Sequence, residues 1–106
     1  MEHVMQEGYA SEQDLFVARA CLDMLIKSTE LEKTRAIRAH FASTPQTLLL
    51  TFIDFLIECI ELEEFETVKQ MADVDYRVEL RRAPSFYEKV NAICEKYFGQ
   101  GIKKQN

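Results

Sequence analysis

The sequence is poor in the residues that punctuate β-structure: 106 positions hold 3 glycines, 2 prolines and no tryptophan. A β-sandwich or barrel needs turn residues roughly every ten positions, so this scarcity excludes that class and leaves helices as the default. No CxxC pair is present either. Cys21, Cys59 and Cys94 are odd in number, widely spaced and flanked by apolar residues, which argues against a disulfide framework and for buried free thiols in a reducing compartment. Met1 to Ala10 has neither a basic n-region nor an apolar h-region, and no later apolar run reaches ~18 residues. The expectation is a cytosolic or nuclear chain without membrane insertion, with the cytoplasm preferred.

The usual chemical signatures are absent too. His3 and His40 have no Cys, His or Asp at the spacing that builds a metal site on one helix face, so no metal site is expected. No thiol has a histidine in a familiar local motif, and a nucleophile needs an activating base within reach. Gly99-Gln100-Gly101 follows a helical stretch, so its amides are not aligned to cradle phosphate, and no cofactor is expected. A net charge of −5, with the basic residues dispersed, sets the chain against a phosphate backbone and excludes a nucleic-acid partner.

What is present is helical periodicity, in a chain of single-domain length that is 47% hydrophobic. Ser11 with Asp14 predicts a helix start. Beyond it Leu15, Ala18, Leu22, Leu25 and Ile26 fall on one face and Val17, Cys21 and Met24 on an adjacent one, an apolar arc wide enough to need two neighbours. Met1 to Glu7 reads as the remnant of a preceding helix. Thr29 and Glu32 form a capping box before a narrower helix carrying Leu31, Thr34, Ile37 and Phe41. Thr44-Pro45 predicts the third helix. It is apolar nearly all round except at Thr47, Thr51, Asp54 and Glu58, and should be the most buried element. A fourth helix is predicted over about Leu62 to Ala72, followed by a connector from Asp73 to Arg82 pinned by Tyr76 and Leu80. Ser85 with Glu88 opens the last helix, Gly99 stops it, and Gln100 to Asn106 reads as a frayed tail. The fold class is therefore all-α. Helix starts recurring at a period of about 33 to 40 residues suggest an α-solenoid of antiparallel, tetratricopeptide-like pairs, about five helices in all, with the third and last forming the core.

Two charged sets stand out. Glu58, Glu61, Glu63, Glu64 and Glu66 read as a solvated acidic rim suited to steering a basic partner. Arg77, Arg81 and Arg82 form a small basic set before the last helix, read as a solvated connector or a partner contact. The rival class is a small helical enzyme gripping an anion with inward Arg side chains, which convergence of Arg19, Arg35, Arg38 and Arg81 in one pocket would support. Apolar inward positions on the most buried helices argue against it.

Two stretches carry a family resemblance. Glu7-Gly8-Tyr9-Ala10-Ser11-Glu12-Gln13-Asp14-Leu15-Phe16-Val17-Ala18-Arg19-Ala20 is one; Tyr76, then Leu80-Arg81-Arg82-Ala83-Pro84-Ser85-Phe86-Tyr87-Glu88, ending in Tyr97-Phe98-Gly99, is the other. Together with Leu49, Phe52, Phe55 and Leu56 between them, these resemble the Golgi-to-ER traffic protein four family, the adaptor subunit of the guided entry of tail-anchored proteins (GET) pathway. The resemblance implies an α-solenoid of which residues 1–106 are the C-terminal segment, lacking the half that docks an ATPase. It further implies a non-catalytic adaptor that holds a ubiquitin-like subunit and, in animal members, a BAG-domain chaperone. Two departures are visible. Only Ala42-Ser43-Thr44 stands where family members carry a longer insertion, and Ala83 replaces the usual acid before proline.

The expected partner-binding residues are the apolar and aromatic Phe52, Phe55, Phe86, Tyr87, Tyr97 and Phe98, with Arg81 and Arg82 beside them. A generic helical-repeat scaffold with other partners is the alternative.

Overall fold

The computed structural model describes residues 2–103, with side chains from residue 13 onward; Met1, the side chains of His3 and Ser11, and residues 104–106 lie outside that range. Among the described residues every regular element is helical: α1 (Glu2–Lys27), α2 (Leu31–His40), α3 (Leu48–Leu62), α4 (Phe65–Gln70), a π-turn (Met71–Asp75), α5 (Arg77–Leu80) and α6 (Phe86–Phe98). The all-α expectation is met, with six α-helices where about five were predicted.

Residues 2–7 are continuous with α1, so they do not form a helix of their own, and α1 runs straight through Ser11. The hub is α1, packed against α2, α3 and α6. The centre of its apolar arc is taken up within the chain: Val17, Ala18, Cys21, Leu22 and Leu25 are all fully buried, while Ile26 at its edge stays exposed. The third and last helices both contribute to the core as expected, joined by α1 as a further member: α6 packs chiefly on α1, and α3 packs on α1, α4 and α5. The prediction for α3 itself stands, with Leu49, Leu50, Phe52, Ile53, Leu56, Ile57, Cys59 and Ile60 buried along it. Deep burial of such side chains contributes about 1.5–3 kcal/mol apiece.

Helix ends are set by contacts that local pattern does not reveal. Glu30, and not Thr29, stands at the N-cap of α2, without a side-chain bond, and its amide donates to the Ser28 hydroxyl at 3.1 Å. Thr47, and not Thr44, caps α3, accepting from the Leu50 amide. Past Gln70 the helix widens by one residue, with the Tyr76 amide donating to the Met71 carbonyl at 2.7 Å. Such π-turns re-aim side chains: here Met71 and Ala72 face the core while Val74 faces solvent. The connector therefore has helical structure, and Tyr76 and Leu80 pin it as expected, the first packed on the core and the second fully buried.

α6 begins and ends where predicted. Gly99 takes the left-handed conformation at φ 76°, which glycine adopts without the Cβ penalty. Ser85 caps without the predicted side-chain bond. The stretch after Gly99 is not frayed over its described part: Ile102 is buried, and the Lys103 amide donates to the Asn91 side chain at 2.8 Å. Lys96 closes the far end of α1, donating to the Leu25 and Ile26 carbonyls at 2.9 and 2.6 Å. A cation there offsets the negative end of the α1 dipole.

Candidate docking surface

Residue 14 begins the site. Asp14 continues the buried face of α1, one turn before Val17 and Ala18, and its carboxylate is wholly inaccessible. A buried charge is tolerated only when paired and hydrogen-bonded. Arg82 supplies the pairing: Nη1 and Nη2 donate to the two Asp14 oxygens at 2.8 and 2.7 Å. The Thr47 hydroxyl donates to the same carboxylate, and Glu79 takes a further bond from Arg82 at 3.3 Å. One acid thus ties α1, the cap of α3 and the link between α5 and α6. Hydrogen bonding to Asp14 is the largest cause raising the Arg82 pKa above its ordinary value.

With Arg82 fixed inward, the basic set divides. Arg77 and Arg81 turn to the surface and line a cleft of roughly 580 Å³ between the π-turn, α5 and the start of α6. Ala72, Val74 and Leu80 give it apolar walls, and Asp73 and Tyr87 complete it. The Tyr87 hydroxyl donates to Asp73 at 2.8 Å. Burial, with help from Asp73, pushes the Tyr87 pKa up to about 12.

A second surface feature lies on α3. Leu48, Phe55 and Leu62 are 61%, 44% and 67% exposed, and their seven-residue spacing places them on one line with only ~20° of drift per step. The three knobs stand about 10 Å apart along the axis, at 1.5 Å per residue. Phe16, also exposed, meets Phe41 edge-on with ring centroids 5.7 Å apart.

The residues expected to bind a partner are scattered by the fold. Phe52 and Phe86 are fully buried in the core, so neither presents a surface. Tyr97 is half-buried with its hydroxyl donating to the Ser28 carbonyl at 2.7 Å, and Phe98 meets Phe65 edge-on. Arg82 belongs to the buried lock. Phe55 on the α3 row and Arg81 at the cleft are exposed, and Tyr87, half-buried, lines the cleft beside Arg81. Beside them, Leu48, Leu62 and Val74, which sequence reasoning did not single out, are exposed, as is Arg77 of the expected basic set. The heptad spacing of the leucines around Phe55 was the available signal, hidden because α3 is apolar on nearly every side.

Of the four arginines whose convergence would favour an enzyme, only Arg81 lines the cleft. Arg35 pairs with Glu61 at 2.6 Å, Arg38 with Asp54 at 2.7 Å, and Arg19 lies over the Phe86 ring. The thiols are free and buried as expected, and burial pushes Cys21 and Cys94 up to about 12. Among the described residues no His, Cys, Asp and Glu group could hold a metal ion, and no described helix is long and apolar enough to cross a membrane.

Fold and surface together define an all-helical protein whose distinguishing exposed features are an apolar row and an arginine-edged cleft. A family profile matches residues 1–106, and the chain belongs to the Golgi to ER traffic protein 4 family. That membership links it to the GET pathway. No curated protein and no solved structure matches it.

Proposed function

We propose that this chain is the C-terminal segment of a cytoplasmic, non-catalytic α-solenoid adaptor for insertion of tail-anchored membrane proteins, docking a ubiquitin-like subunit. The observation that carries this reading is the exposed row Leu48, Phe55 and Leu62 on α3. Apolar side chains repeating every seven residues suit a partner helix laid along them, whose own apolar positions recur at i, i+3, i+4 and i+7. The neighbouring Glu58, Glu61 and Glu63 are exposed and favour a partner segment with basic flanks. A BAG-domain chaperone is a further partner for the same class of surface. The high pKa of buried Cys21 and Cys94 favours the non-catalytic reading, because a thiol nucleophile acts as its thiolate.

Isothermal titration of the chain with the N-terminal segment of the ubiquitin-like subunit tests the proposal. Saturable binding is expected, and Phe55→Ser with Leu62→Ser should weaken it at least tenfold while circular dichroism stays unchanged. Absence of heat with correctly folded protein would defeat it.

A further inference from the structure

We propose that the cleft between the π-turn, α5 and the start of α6 receives an extended acidic segment of a partner protein, with two carboxylates seated on Arg77 and Arg81. This site is separate from the α3 row and does not depend on the identity of the partner docked there.

The charge pattern points to the occupant. Arg35, Arg38, Arg82, Lys89 and Lys103 each pair with a carboxylate of this chain. No such partner is present for Arg77 or Arg81 among the described residues, and both are exposed at the cleft. Its one acid, Asp73, accepts from Tyr87, so two guanidinium groups face a single, already engaged carboxylate. Fork-shaped donors of this kind take carboxylates in paired hydrogen bonds.

Spacing decides the form of the ligand. Arg77 opens α5 and Arg81 is its C-cap in helical conformation, so the two lie one turn apart, with Cβ atoms about 5–6 Å from each other. In an extended peptide, alternate side chains share one face and recur every ~6.6 Å. Acidic residues at alternate positions therefore match the pair. The cleft, at roughly 580 Å³ with the exposed Val74 on its apolar side, has room and lining for an aliphatic side chain as well. A lone phosphate would leave most of that volume empty, and a net charge of −5 opposes nucleic acid.

The test is fluorescence anisotropy of the full chain with a short labelled peptide of alternating aspartate and leucine, beside its asparagine counterpart, a phosphoserine counterpart and inorganic phosphate. The aspartate peptide should bind saturably and release with added salt, the asparagine peptide at least tenfold more weakly. Arg77→Glu with Arg81→Glu should cost at least tenfold, with helicity unchanged by circular dichroism, while Arg35→Glu should leave binding intact. Amide shifts in nuclear magnetic resonance should gather at Val74, Arg77, Arg81 and Tyr87. No binding of the aspartate peptide, equal binding of the asparagine peptide, or indifference to the arginine reversals overturns the proposal. Preference for the phosphoserine peptide, or displacement by comparable inorganic phosphate, also overturns it in favour of a phosphate site.

Discussion

Asp14 and Arg82 stand 68 positions apart in the sequence and meet through two hydrogen bonds of 2.7 and 2.8 Å. Asp14 is fully buried, and the Arg82 side chain keeps 25% of its surface in solvent. Removing one partner from such a pair leaves a charge without compensation, which costs more than the pair itself is worth. Arg82→Ala should therefore lower unfolding free energy in urea by about 3 kcal/mol. The double variant Asp14→Leu with Arg82→Met should lose clearly less. A single-variant loss below about 1 kcal/mol, the scale of exposed pairs, would mean that Asp14 is solvated in solution.

Thr34 is 1% exposed, and its hydroxyl has no hydrogen-bond partner. An unsatisfied buried hydroxyl costs free energy that a methyl group of similar shape does not. Thr34→Val keeps the β-branch and should leave stability unchanged or raise it by up to about 1 kcal/mol. Thr34→Ser, losing only the methyl, should destabilise. A loss of stability in Thr34→Val in a thermal melt would show that a water satisfies the hydroxyl.

Folding favours the protonated forms of Cys21, Cys94 and Tyr87, each raised to about 12 from 9.0, 9.0 and 10.0 respectively. Below the unfolded values that stabilisation is fully present. It is lost as pH climbs from about 9 towards 12, because the unfolded chain gives up these protons first. Urea midpoints should hold steady from neutrality to about pH 9 and then fall. At neutral pH a thiol reagent should label Cys21 and Cys94 only at the rate of unfolding; rapid labelling of folded protein would contradict the burial.

The elements legible in the sequence are those specified by their own residues. α6 is bounded by Ser85 and Gly99, and the left-handed residue at its end has a conformation that favours glycine. The apolar faces of α1 and α3 announced their burial through spacing. Long-range contacts were not legible in the same way. Thr47 outcompeted Thr44 as a cap while bonded to an acid 33 positions earlier. Over its described part, up to residue 103, the expected frayed tail is instead held in place: Gly101 lies against the Asn91 side chain, Asn91 holds the Lys103 amide and Ile102 is buried. At the surface, two of the eight expected partner contacts are exposed, four are half-buried and two are buried, since an aromatic ring on a helix looks alike in sequence whether it faces core or solvent.

Arg81 and Arg82 are neighbours with opposite fates, one turned to solvent and the other anchored on Asp14. The anchored residue ties the α5–α6 link to α1, one position from the outward guanidinium. A substitution at position 14, buried on the opposite side of the contact, should therefore reshape the mouth of the cleft without touching any residue that lines it.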